Sequence, residues 1–225
     1  MLKKIFSFIK KAALWFFAVS IFTVILFRFV PVPFTPLMGF RFFENTFSDK
    51  TVFFNHKWVP LEQISPNLQK AVIASEDATF IDHYGFDFNA IQKAVKKNKK
   101  GKKLVGGSTI SQQTAKNVFL WQGRSWIRKG FEAYFTVLIE IFWPKERIME
   151  VYLNSIEMGN GVYGAQAASR HWYSKDANQI TKREAAGIAA ILPNPRRFEA
   201  SYSSAYINKR KSRIMAGMRR IKLDY

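Results

Sequence analysis

The run Glu76-Asp77-Ala78-Thr79-Phe80-Ile81-Asp82-His83-Tyr84-Gly85 puts three carboxylates and an imidazole in ten residues. Thirty-one positions after Glu76 begins a second block, Gly107-Ser108-Thr109-Ile110-Ser111-Gln112-Gln113-Thr114-Ala115-Lys116-Asn117. A carboxylate can take or deliver a proton, while hydroxyls, amides and an ammonium can hold a large polar ligand. At helical spacing Glu76, Phe80 and His83 share one face as i, i+4 and i+7. A lone glutamate of this kind is most often a solvated surface acid, with the phenylalanine in the core and the histidine on a buried carbonyl. Here the apolar run before Glu76, the companions Asp77 and Asp82 and the stop at Gly85 favour a positioned carboxylate.

In the second block Gly106 and Gly107 permit close backbone approach, and Ser108, Thr109 and Ser111 supply hydroxyls. Gln112 or Gln113 lies about one helical turn from Lys116, so an amide and a cation can address one ligand. The block reads equally as a capped, solvated helix start or as an anion seat built on free amides and the helix dipole. Further on, Arg128-Lys129-Gly130-Phe131-Glu132 sets Arg128 and Glu132 at i, i+4. As a surface ion pair this contributes about 0–1 kcal/mol. Beside a phosphorylated substrate the same cations would neutralise charge building on a leaving group.

A formal charge of +19 over 225 residues calls for an anionic partner or surface. Nucleic acid, anionic lipid and a phosphorylated substrate all qualify. The absence of cysteine excludes disulfides and thiolate metal sites. The basic runs Lys93, Lys96, Lys97, Lys99, Lys100, Lys102, Lys103 and Lys209, Arg210, Lys211, Arg213, Arg219, Arg220 read as solvated faces that attract anionic lipid. Neither interleaves the aromatics that stack on bases. Ser7-Phe8-Ile9-Lys10 fits a serine-acyltransferase pattern, but no Lys-Thr-Gly follows, so the match is chance.

Ala12 to Phe27 is a sixteen-residue stretch without charge, extended by Phe29 and Val30 if Arg28 snorkels. A cleaved signal would end in small residues, whereas this run ends Arg28-Phe29-Val30-Pro31-Val32-Pro33. The expected organisation is a basic cytoplasmic leader over 1–11, a transmembrane anchor over 12–30, a juxtamembrane linker over 31–60 and a catalytic domain over 61–225. Lys3, Lys4, Lys10 and Lys11 keep the amino terminus in the cytoplasm by the positive-inside rule. The rest then lies on the extracytoplasmic face, which demotes nucleic acid as a partner.

Pro31, Pro33 and Pro36 end the spanning helix. The aromatic-rich stretch 37–60 lacks a clean helical period and reads as a short strand pair or a segment resting on the bilayer. From Ser65-Pro66 the pattern turns helical: Asp87 is placed as the cap of a helix through Ile91 and Val95, and Ser108 as the cap of one through Val118. Helices are predicted over 125–142, from Lys145 to Asn154, after the capping box Thr181–Glu184, and over about 203–221. No stretch alternates well enough for a large sheet, so the fold is mostly α.

Together the blocks resemble the peptidoglycan glycosyltransferase family, whose order is E-D-x-x-F-x-x-H-x-G, G-x-S-T-I-x-Q-Q-x-x-K-N, R-K-x-x-E and Y-L-N. They appear here as Glu76–Gly85, Gly106–Asn117, Arg128–Glu132 and Tyr152-Leu153-Asn154. Without a transpeptidase module, and with Glu157-Met158-Gly159-Asn160-Gly161-Val162-Tyr163-Gly164, the chain looks like the monofunctional branch. The resemblance implies a lysozyme-like α-helical glycosyltransferase domain and lipid II as substrate. It also implies a glycan that grows on undecaprenyl pyrophosphate in the cell inner (cytoplasmic) membrane.

On that resemblance Glu76 is the general base that takes a proton from the acceptor sugar, and Glu132 is the second essential carboxylate. Lys116, Arg128 and Lys129 are assigned to the pyrophosphate, and Thr109, Gln113 and Asn117 to substrate hydrogen bonds. Asp77 and His83 either join that substrate set or hold the Glu76 segment. No cofactor is required and no metal-ligand spacing appears, though a divalent cation bridging the pyrophosphate is left open. The implied partners are lipid II, the growing glycan, membrane lipid and cell-division or elongation proteins. A membrane-bound muramidase and a non-catalytic membrane scaffold are the competing readings.

Overall fold

In a computed structural model the residues described are 1–46, 54–99, 101, 106–123, 125–202 and 204–225. Lys100, Lys102 and Lys103 of the first basic run lie outside them, as do residues 47–53. The described chain is mostly helical. Helices α1 (Leu2–Phe29), α2 (Pro36–Thr46), α3 (Pro66–Glu76), α4 (Phe88–Lys99) and α5 (Ile110–Phe119) come first. They are followed by α6 (Trp126–Phe142), α7 (Lys145–Ser155), α8 (Ala165–Tyr173), α9 (Lys182–Ile191) and α10 (Ala205–Met218). A small mixed sheet joins β1 (Asn55–His56), β2 (Glu157–Gly159) and β3 (Val162–Tyr163), with β3 central, parallel to β1 and antiparallel to β2.

Local chemistry sets most helix starts. Ser65 accepts from Asn67 N at 3.3 Å ahead of Pro66, Asp87 accepts from Ala90 N at 2.8 Å, and Ser125 accepts from Arg128 N at 3.1 Å. Thr181 and Glu184 form the expected capping box. The α5 cap is Thr109 rather than Ser108. Only Thr109 has a glutamine three residues on, so Thr109 and Gln112 close a reciprocal box that Ser108 and Ser111 cannot make.

Two expectations are corrected. Residues 37–46 are helical, not a strand pair: Pro36 occupies the first turn, Thr35 Oγ1 accepts from Met38 N at 3.3 Å, and Leu37 and Met38 bury against Tyr163. The aromatics that blur the period, Phe40, Phe42 and Phe43, stay exposed. The second correction is that α3 stops at Glu76, so Glu76, Phe80 and His83 do not share a helical face. Asp77 leaves the helix at φ −158° and spends its side chain on bonds to more distant groups, which compete with continued helix.

Helix α1 begins before the uncharged stretch and takes in the lysine leader; Lys3–Phe29 is long and apolar enough to cross a membrane. It runs along α6: Ser20 Oγ and Tyr134 OH share a hydrogen bond at 2.7 Å, and the Phe16 and Phe131 rings meet edge-on at 5.5 Å. Trp143 Nε1 donates to Val24 O at 2.7 Å, and Arg147 donates to the Phe27 and Val30 carbonyls. These bonds tie the apolar helix to α6 and α7.

In the core, α9 packs on α3 and α10, while α5 packs on α6 and α7. Fully buried Ala185, Ala186, Ala189 and Ala190 let α9 approach its neighbours closely. The carboxyl-terminal basic cluster is not wholly a solvated face. Arg210 turns inward onto Ala190 O at 3.0 Å, and Lys211 is buried on Ala200 O at 2.7 Å, where desolvation lowers its pKa. A helix packed on two others must place some side chains inside, and these stems reach carbonyls that α9 and its exit leave unsatisfied.

Candidate functional site

Helix α5 is the axis of the site, with a different cluster at each end. At its start Asp77, buried to 7% exposure, accepts from Ile110 N at 2.9 Å and meets His83 Nε2 at 3.0 Å through both oxygens. Thr109 Oγ1 donates to Gly85 O at 2.6 Å. Gly85 sits at φ +80°, where an added Cβ would lie 2.7 Å from Thr136 Cγ2, so this turn requires glycine. Lys145 Nζ donates to His83 O at 2.6 Å and to Glu140 Oε1 at 2.8 Å, and lies 4.7 Å over the Phe80 ring. Asp77, His83 through Nε2, and Thr109 therefore strap the 77–85 segment onto α5 and α6, while His83 Nδ1 is buried without a partner.

Midway along α5 lies Glu76. Its Oε1 accepts from Ser75 Oγ at 3.0 Å and its Oε2 from Gln113 Nε2 at 3.4 Å. Gln113 is held in turn by Tyr152 OH, which donates to its Oε1 at 3.2 Å. Burial raises the Glu76 pKa, with the neighbouring Asp77 charge adding to the rise; the Ser75 and Gln113 bonds and the Arg210 charge oppose it. Tyr152, fully buried beside two carboxylates, has its phenol pKa raised, chiefly by desolvation, and stays protonated. A partly buried carboxylate with a raised pKa and two fixed donors is suited to taking a proton.

One turn past Gln113, Lys116 faces the start of α6. Glu132, 3% exposed, accepts from Arg128 Nη1 at 2.8 Å and from Lys129 Nζ. The Arg128–Glu132 pair is thus largely buried rather than a surface bridge. Arg128 Nε is buried without a partner. Among the described residues the Lys116 ammonium makes no hydrogen bond or ion pair; desolvation lowers its pKa, the Glu132 charge raises it, and Arg128, Lys129 and Arg41 lower it further. Arg41 is paired with Glu44 and Glu157, so Lys116, Arg128 and Lys129 share the one carboxylate of Glu132 and leave an excess of positive charge that an anion would relieve. Asn117, 6% exposed, adds a side chain without a hydrogen bond among the described residues. Among those same residues no three His, Asp or Glu groups converge on a metal position.

The structure thus sorts the expected residues into three groups. Glu76 and Gln113 stand together; Lys116, Arg128, Lys129 and Glu132 stand together with Asn117 adjacent in sequence; Asp77, His83 and Thr109 brace the frame. Sequence reasoning missed Tyr152 as the holder of Gln113, Lys145 and Glu140 as braces, and Arg41 of α2 as a further cation. Only Tyr152 had a signal, through the Tyr-Leu-Asn run. Asn154 of that run holds Val59 instead, accepting from its N at 3.0 Å and donating to its O at 2.9 Å.

Gly130 has no packing reason, since an added Cβ would meet nothing within 4 Å. Gly130→Ala is expected to stabilise the protein by about 1 kcal/mol through helix propensity, read as a raised thermal midpoint in detergent.

A family model described as Transglycosylase matches residues 45–219. The chain is 55% identical over 209 residues to a protein of Bdellovibrio bacteriovorus named biosynthetic peptidoglycan transglycosylase, covering 93% of this chain and 84% of that one. A protein of the same name from Bacteroides thetaiotaomicron is 53% identical over 214 residues, covering 95% and 86%. One from Pseudomonas syringae pv. syringae is 48% identical over 221 residues, covering 98% and 94%.

Proposed function

The chain belongs to the transglycosylase family, and from that membership we propose that it polymerises lipid II with Glu76 as general base. It is a peptidoglycan glycosyltransferase that builds glycan strands in cell wall synthesis. The observation that carries the finer reading is the layout of α5. Its Gln113 holds the candidate base, and one turn later Lys116 joins Arg128 and Lys129 in an anion seat.

In this mechanism the acceptor's 4-hydroxyl gives its proton to the Glu76 carboxylate as its oxygen attacks the donor's anomeric carbon. The new C–O bond forms as the bond to the pyrophosphate breaks, inverting an α-linked donor into a β-1,4 glycan. Undecaprenyl pyrophosphate leaves with the electron pair. Lys116, Arg128 and Lys129 hold that diphosphate as its charge grows, with Arg128 suited to a bidentate grip. Glu132 fixes Arg128 and Lys129 in place. Because the leaving group is already an anion of a strong acid, no general acid is required.

The anchoring helix supports a lipid-linked substrate. An apolar groove lined by Ala12, Trp15, Phe16, Val19, Phe119 and Phe135 runs between it and the catalytic part. The lysines at the start of α1 favour a cytoplasmic amino terminus and an extracytoplasmic catalytic domain. Purified full-length chain supplied with lipid II is expected to yield polymeric glycan. Cleavage of preformed glycan without polymerisation would establish the muramidase reading instead.

A further inference from the structure

Helix α10 reaches back to the candidate base through a single hydroxyl. Arg210 Nε donates to Ala190 O at 3.0 Å, which fixes its guanidinium against the end of α9. Its Nη2 donates to Ser75 Oγ at 3.3 Å, and Ser75 Oγ donates to Glu76 Oε1 at 3.0 Å. We propose that Ser75 and Arg210 are positioning residues that hold Glu76 ionised and aimed for proton transfer. This rests on the reading of Glu76 as the base.

The proton count gives the chain a direction. A hydroxyl has one proton; by accepting from Arg210, Ser75 is oriented to donate away from it. Two acceptors lie in reach, Glu76 Oε1 and Ala189 O at 3.3 Å. With Glu76 ionised, the carboxylate is the stronger acceptor and takes the hydrogen bond. Once Glu76 carries the sugar's proton, Ser75 can turn to Ala189 O and leave no donor unpaired.

The groups facing Glu76 come from four elements: Ser75 and, just beyond the helix end, Asp77 with α3, Gln113 on α5, Tyr152 behind it on α7, and Arg210 on α10. Of these, Arg210 supplies the positive charge that favours the ionised base, against Asp77 and burial.

The test uses full-length chain, lipid II and kcat measured across pH. Ser75→Ala is expected to lower kcat about tenfold near neutral pH, the effect of losing one hydrogen bond to a charged group. KM should change little, and the acidic limb of the profile should move up by about one pH unit. Ser75→Thr, which keeps the hydroxyl, should restore both. Arg210→Gln should shift the limb the same way, and thermal midpoints separate this from unfolding. A Ser75→Ala profile that superimposes on the parent's, while Glu76→Gln is inactive, overturns the proposal and leaves the base assignment standing. An active Glu76→Gln removes the base assignment itself.

Discussion

Glu76→Gln is expected to lower kcat for lipid II polymerisation by about 10²–10⁴-fold, the usual worth of a positioned general base. Glutamine matches glutamate in shape, and its one amide oxygen keeps the bond from either Ser75 or Gln113, so binding should persist and KM should hold. Single-turnover polymerisation, with lipid II binding followed separately, checks both parts. A variant that polymerises at the parent rate sinks the assignment. The burial that raises the Glu76 pKa also fixes the sign of two pH effects. Activity needs the ionised form, so it is present above the raised pKa and lost as pH falls through it. Folding stability runs the other way: a carboxyl harder to ionise when folded contributes most at low pH, and that contribution fades as pH rises through the folded pKa.

Arg128→Ala is expected to cut kcat/KM about 10²–10³-fold, the scale seen when a preorganised donor to developing charge is removed. It also strips Glu132, 3% exposed, of one of its two cations, so some loss of stability should accompany it. Arg128→Lys separates the effects. It restores charge beside Glu132 but not the planar fork, and should recover stability more fully than kcat/KM. Unchanged kcat/KM in Arg128→Ala, at any stability, would remove Arg128 from the pyrophosphate seat.

How much of this was readable in the chain follows from the range over which each feature is decided. Ser65-Pro66, Asp87 and Thr181-x-x-Glu184 act within one turn, and the helices they start were predicted from those residues alone. The α5 cap was misplaced by one residue because Ser108 and Thr109 are both good caps; the partner Gln112 decides between them. Asn160-Gly161, with Gly161 at φ +72°, makes the β2–β3 turn, a local hairpin signal that the motif match overshadowed.

What was not readable depends on contacts distant in sequence. Asp77 ends α3 because Ile110 N lies 33 positions away, and no local pattern announces that bond. Arg210 and Lys211 sit in a run of cations that looks solvated throughout, and only the packing of α10 on α3 and α9 turns two of them inward. The same holds for the site. Residue types marked Glu76, Lys116 and Arg128 as candidates, but the fold sets Gln113 and Lys116 to serve two clusters from one helix. It also turns Asp77, Thr109 and the Nε2 of His83 to bracing bonds.

Whether Glu76 is the base for glycan polymerisation is decided by kcat measured across pH with the chain and purified lipid II. Polymer is expected to form with a single acidic limb whose apparent pKa lies above the ordinary glutamate range, with no such limb in the residual activity of Glu76→Gln. A parent profile flat down through the ordinary glutamate range, or an identical limb in Glu76→Gln, would contradict it.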